Sequence, residues 1–244
     1  MSLDKDFFKQ FEYQKIVFDG KEYEEPLRYY DFLRMVAYFP ASTKKLKKYL
    51  PSKKLKLLKP FPGMSILFIA VYEYRDIADL EPYNEVGIGI PVILKTKKKK
   101  YQGAYFIHLP VTTEEARKIG VEFTGFPKFV ADITFEDKEY TKICKLAHEN
   151  KEILTIEFRK LDTEIQYGEG ISITVKGNKI LRTVITVQSQ HGSSRKKGEA
   201  SITLGDHPIS KELKELLLDT ESVGHDYQPK AQLSIPFAEA EYDL

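Results

Sequence analysis

The sequence has no tryptophan and a single cysteine, Cys144, among its 244 residues. One cysteine cannot close an internal disulfide, so a reducing, cytoplasmic setting is expected. No stretch approaches the ~18 consecutive apolar residues that a membrane span needs, and no N-terminal apolar run reads as a signal peptide. Neither sign of charge dominates. The 38 basic and 36 acidic residues leave a net charge of +2, too little to point to a nucleic-acid or membrane partner. There is no internal repeat, and no Pro/Gly/Ser-rich linker. A single domain over residues 1–244 is therefore expected. Also missing are a Walker loop, a dinucleotide-binding glycine fingerprint, HExxH, CxxC and a GxSxG elbow. The five histidines (His108, His148, His191, His207, His225) show no ligand spacing, so no metal is expected. Cys144, beside Ile143 and Leu146, reads as a small core residue, not a nucleophile.

What is present is apolar, aromatic and strand-forming. Apolar residues make up 42% of the chain, charged residues 30% and aromatic residues 12%, with 15 Tyr and 15 Phe. Phe and Tyr suit pleated, half-buried surfaces. Ile66–Tyr72 is a continuous apolar run, as a strand buried on both faces would be. Val86–Leu94 is another, broken by Gly87, Gly89 and Pro91, where the glycines suggest a bulge or a close backbone approach. Lys97–Lys100 reads as a hairpin tip before a strand over Ala104–Leu109. Further strands are expected at 154–159, 171–175, 180–187, 201–204 and 232–235. Three short helices are expected. One lies between Pro40 and Pro51, with four lysines (Lys44, Lys45, Lys47, Lys48) on its solvated face. The second runs from Pro110 to Gly120, with Thr112 and Glu115 as a capping box and Gly120 as its stop. The third covers Ser210–Leu218. Ser189–Lys197 reads as a loop. Strands that follow one another with few helices give a β-rich α+β chain built on an antiparallel sheet.

Two segments carry candidate chemistry. In Gly120-Val-Glu-Phe-Thr-Gly-Phe-Pro-Lys128-Phe-Val, the lysine is flanked by Phe123, Phe126, Pro127, Phe129 and Val130. A lysine in such company either snorkels to water or sits in a low-dielectric pocket. In the second case desolvation disfavours the ammonium, and only the neutral amine attacks a carbonyl. Strand parity sets the apolar row Phe129, Ala131, Ile133 and Phe135 on the face away from Lys128. The second segment places Glu85 directly before the apolar, glycine-containing strand, at a sheet rim where side chains are aimed into cavities. A plain turn residue is the competing reading.

At these two segments the sequence resembles the acetoacetate decarboxylase family. The resemblance rests on Gly120, Glu122, Pro127 and Lys128, and on Glu85 with Gly87, Gly89, Ile90, Pro91 and Val92. It extends to Leu50-Pro51 and to the closing stretch 231–244. It implies a curved antiparallel sheet closing into a cone or barrel around a central pocket. It also implies a Schiff-base lysine at Lys128, a homo-oligomer and a small keto-acid substrate. Glu85 then shuttles a proton or orients the carbonyl, with no cofactor required, and Phe126 and Phe129 are substrate-side residues. Arg28 is the candidate for the substrate carboxylate, with Arg34 as the alternative. Several positions depart from the family pattern. Phe129 stands where decarboxylases have a second lysine, Val121 where they have an arginine, and Ile69 near the place of a second glutamate. The expected function is a Schiff-base-forming lyase acting by decarboxylation or by aldol or dehydration chemistry. A non-catalytic small-ligand binding module on the same fold is the alternative.

Overall fold

The computed structural model of the chain describes residues 2–60, 62–238 and 240–244. Its first hairpin pairs β1 (Gln14–Phe18) with β2 (Lys21–Glu25). The turn is Asp19-Gly20, both at positive φ (52° and 79°), as a two-residue type I′ turn requires.

Among the described residues, fifteen strands and three α-helices follow the order β1, β2, β3 (Leu27–Ser42), α1 (Thr43–Leu46), β4 (Leu55–Leu57), β5 (Met64–Ile77), β6 (Tyr83–Lys95), β7 (Lys100–His108), α2 (Glu114–Thr124), β8 (Asp132–Asp137), β9 (Thr141–His148), β10 (Lys151–Arg159), β11 (Glu164–Lys176), β12 (Lys179–Ser194), β13 (Ala200–Leu204), α3 (Pro208–Leu216), β14 (Gly224–Ile235) and β15 (Ala240–Asp243). Seven of the strands form a closed ring in the order β11-β7-β6-β5-β3-β14-β12, and β12 pairs back to β11. Every pairing in the ring is antiparallel except β7–β11, a parallel seam at Ser172↔Ala104 and Ile173↔Tyr105. The curled sheet expected from the sequence is thus present, with this one parallel closure. A separate four-stranded sheet, β13-β10-β9-β8, covers one side.

The main core lies between the ring's outer face and this second sheet. Leu33, Met35, Ala37 and Phe39 of β3 point into it, as do Leu67, Ile69 and Val71 of β5. They meet Cys144, Leu146, Ile156 and Phe158 from the second sheet. Residues of the other parity (Arg34, Val36, Tyr38, Phe68, Tyr72) face the inside of the ring. This explains the unbroken apolar run at 66–72. Its outward residues fill the core and its inward ones wall a cavity, so neither face meets bulk water. Ile69 is fully buried on the outward side and takes no part in the cavity.

Some local readings change. Gly120 does not stop the second helix. α2 continues to Thr124, and Gly125 caps it in the left-handed region at φ 64°. The N-cap is Thr113, whose side chain accepts from the Ala116 N–H at 3.4 Å. The segment 189–194 is not a loop but the end of β12, hydrogen-bonded to β14. The first helix is shorter than expected: Pro40 lies in β3, and α1 passes into a 3-10 turn at Lys47–Tyr49. No helix among the described residues is long and apolar enough to cross a membrane.

Candidate active site

Inside the ring lies a cavity of about 640 Å³, within the ~300–1,000 Å³ range of small-molecule sites. Inward positions along β5 are Tyr74, Tyr72, Ala70 and Phe68. Their cross-strand partners on β6 are Tyr83, Glu85, Gly87 and Gly89. On the other side of β5, Tyr72 pairs with Arg34 of β3, and Arg34 pairs with Gln228 of β14. One row around the wall therefore reads Glu85, Tyr72, Arg34, Gln228. Each step is a strand spacing of about 4.8 Å.

Lys128 enters this row from outside the ring. It sits in the segment between α2 and β8, which is held to β7 and its exit by Leu109 N–H to Pro127 C=O (3.2 Å) and Val111 N–H to Phe129 C=O (2.9 Å). The Lys128 amine donates to Glu85 Oε2 at 2.7 Å, and each side chain is only 7% exposed. The amine lies 5.5 Å from the Tyr83 ring centre and 5.8 Å from that of Phe126. Gly120 makes room for the lysine stem. A Cβ built there would fall 2.6 Å from Lys128 Cδ and Cε. Lys142 is equally buried but is paired with Glu73 and Asp137 and does not line the cavity.

Four tyrosines surround the pair. The Tyr29 and Tyr83 hydroxyls lie 3.0 Å apart, and Tyr74 donates to Glu85 Oε1 over a long 3.5 Å. Tyr72 and Tyr74 are stacked, with their centres 5.5 Å apart. Burial raises the pKa of Tyr74 and Tyr83 well above the ordinary value, and the nearby Glu85 charge adds to this. These phenols therefore stay protonated and serve as hydrogen-bond donors. Nothing in the local sequence marks them as site residues beyond the period-two pattern Tyr72-x-Tyr74, with Tyr83 two residues before Glu85.

Lys128 and Arg34 are the lysine and arginine among the described lining residues. Arg34 donates to Gln228 Oε1 at 3.2 Å and lies 5.9 Å from the Tyr72 ring centre. Its pKa stands above the ordinary value. Burial opposes the charge, and Tyr72, Tyr38 and Asp226 outweigh it. Arg28 does not line the cavity. Its guanidinium is paired with Glu24 and lies over the Tyr13 ring at 4.5 Å. The reason is strand parity, since positions 28 and 34 are separated by the register shift around Asp31. Phe126 lines the cavity. Phe129 does not: it packs against the core and against His148, ring centres 5.1 Å apart.

Residues 26–234 match the family model described as Acetoacetate decarboxylase (ADC). The chain belongs to the acetoacetate decarboxylase family. Solved structures share its fold at low identity. An acetoacetate decarboxylase is 18% identical, with a TM-score of 0.66 over 89% of this chain and 90% of its own. The acetoacetate decarboxylase of Legionella pneumophila subsp. pneumophila str. Philadelphia 1 is 17% identical, at 0.62 over 89% and 88%. The enduracididine biosynthesis enzyme MppR, complexed with the condensation product of pyruvate and imidazole 4-carboxaldehyde, is 11% identical, at 0.58 over 89% of each chain. No curated protein matches this chain. Among the described residues, no group of three or more His, Cys, Asp or Glu is placed to hold a metal ion.

Proposed function

We propose that this member of the family is a lyase that forms a Schiff base between Lys128 and the ketone of a keto acid. The observation that carries this is the Lys128 amine, buried at the wall of an aromatic cavity and hydrogen-bonded to Glu85. Arg34, on the same row of the wall, supplies a permanent cation for the substrate carboxylate.

A single hydrogen bond joins the Lys128 amine to Glu85. In the proposed first step Glu85 takes a proton from the amine along this bond, and the free amine adds to the carbonyl carbon. The resulting carbinolamine hydroxyl receives the proton back from Glu85 and leaves as water, giving an iminium. The bond from the iminium's α-carbon to the carboxylate carbon then breaks, or in a retro-aldol the bond to the carbinol carbon, whose hydroxyl proton passes to Glu85. Its electron pair becomes the enamine C=C, the C=N pair moves to nitrogen, and carbon dioxide or an aldehyde leaves. Protonation of the enamine carbon and hydrolysis by one water release the product and restore Lys128. Glu85 is positioned to move protons at both ends of this sequence, with the Tyr74 hydroxyl at its other oxygen. The surrounding rings limit water, which protects the imine until turnover. That proteins described as a decarboxylase and as MppR with a pyruvate condensation product share the fold supports carbon–carbon chemistry at the imine and leaves its direction to the substrate.

The test is borohydride reduction in the presence of acetoacetate, pyruvate and other ketones, read by intact mass and peptide mapping. A stable adduct on Lys128 is expected. No adduct with any ketone, at alkaline pH included, returns the chain to a non-catalytic binding module.

A further inference from the structure

The two sides of the Lys128 amine differ in chemistry. Toward Tyr74 and Tyr83 the inward row carries hydroxyls beside the Phe32 ring of β3, and Arg34 lies level with Glu85 on the Tyr72 row. In the opposite direction along the same strands the rows are Ala70 with Gly87 and Phe68 with Gly89. These glycines bring bare phenyl rings to the wall. A Cβ on Gly87 would lie 2.4 Å from Phe106 Cε1, and one on Gly89 would lie 2.4 Å from Phe68 Cζ. The rings form a continuous edge-to-face series leading away from the amine. Phe126 meets Phe106 at 5.8 Å, and Phe106 meets Phe68 at 5.5 Å. All three line the cavity. The tyrosine at that level, Tyr38, has its hydroxyl committed to Asp226 at 2.5 Å.

Size points the same way. A volume of about 640 Å³ would hold roughly twenty waters at ~30 Å³ each. Pyruvate or acetoacetate would occupy only a fraction of it. The apolar part of the remaining wall would be without a partner, losing both burial and dispersion contacts.

Resting on the imine reading for its ketone end, we infer that the substrate is a keto acid with a bulky apolar or aromatic tail. Its carboxylate lies toward Arg34 and the tyrosines. Its tail lies along Phe126, Phe106 and Phe68. Aromatic tails suit this wall because edge-to-face contacts add to area burial.

The experiment compares phenylpyruvate with pyruvate in wild type and in Ala104→Phe. Ala104 lines the cavity and packs against the phenyl cluster, so the larger residue fills the tail space. Half-saturation is read twice, from borohydride trapping and from calorimetric binding without borohydride. In wild type phenylpyruvate should half-saturate at a concentration at least about tenfold below pyruvate. In Ala104→Phe that ratio should collapse toward one. Using the ratio within each variant cancels any general loss of folded protein. Equal half-saturation in wild type, a preference for pyruvate, or a ratio unchanged by Ala104→Phe overturns the tail site. If no acid forms an adduct while the calorimetric ratio holds, the imine reading fails and the tail site stands. Absence of calorimetric binding by phenylpyruvate overturns the tail site.

Discussion

The stem of Lys128 lies against the bare Cα of Gly120, so closely that a methyl group there would come within 2.6 Å of its Cδ and Cε and 3.1 Å of its amine. A helix glycine in mid-element costs about 1 kcal/mol relative to alanine, and here the vacancy is filled by the Lys128 stem. Gly120→Ala should leave the chain folded, because the lysine stem can shift. It should move the amine off Glu85 and slow imine formation by about 100-fold. Trapping rates with melting curves check this; a normal rate would show that the contact does not set the amine's position.

Lys128→Ala should abolish imine trapping and turnover. It also leaves the Glu85 charge buried and unpaired, which typically costs about 3–5 kcal/mol. Lys128→Met/Glu85→Gln removes both charges and should recover much of that loss. Urea unfolding of the single and double variants tests it, and a double variant no more stable than the singles would contradict a buried pair.

Glu85→Gln should slow both imine formation and product release, because the amide can hold the amine but can neither take its proton nor return one. Single-turnover rates for the two stages check this. Unchanged rates in both would make Glu85 a structural residue.

Arg34→Met should raise half-saturation for keto acids by about tenfold or more, with little change for acetone, which has no carboxylate. The same change at Arg28, outside the cavity, should leave this ratio alone. A ratio that follows Arg28 and not Arg34 would reverse the assignment.

Asp226 titrates below the ordinary carboxyl range. Burial works to raise it, but His191, Tyr38 and Arg34 together hold it down. A carboxyl with a lowered folded-state pKa stabilises the fold above its unfolded pKa of about 3.9. That contribution is lost as pH falls through the folded value. Wild type should therefore exceed Asp226→Asn in stability near neutrality, and the gap should close as pH drops below about 4. Melting curves across that range decide it; a gap that widens in acid would refute it.

How much of this was legible in the sequence varies with the range of the interaction concerned. The long apolar strands, the second helix without its caps, and the buried Cys144 follow from local periodicity and composition. Lys128 and Glu85 stood out because each sits in an unusual neighbourhood. Arg34 did not, because nothing local separates it from Arg28; the register shift near Asp31 decides which of them faces inward. The Tyr29–Tyr83 contact and the Tyr72–Tyr74 stack depend on strand pairing in the same way. Gly120 looked like a helix stop because glycine usually ends helices, and only the lysine folded back over it shows why it lies within one.

The sequence by itself determined that this chain is β-rich, belongs with the acetoacetate decarboxylase family, and carries a lysine and a glutamate in unusual settings. Only the tertiary structure decided that these two meet at 2.7 Å, that Arg34 shares their row, and that phenyl rings line one side of the amine and hydroxyls the other. The physical reason is that side-chain alternation is written locally, every second residue, whereas register and ring closure are set by pairings between segments far apart in the chain.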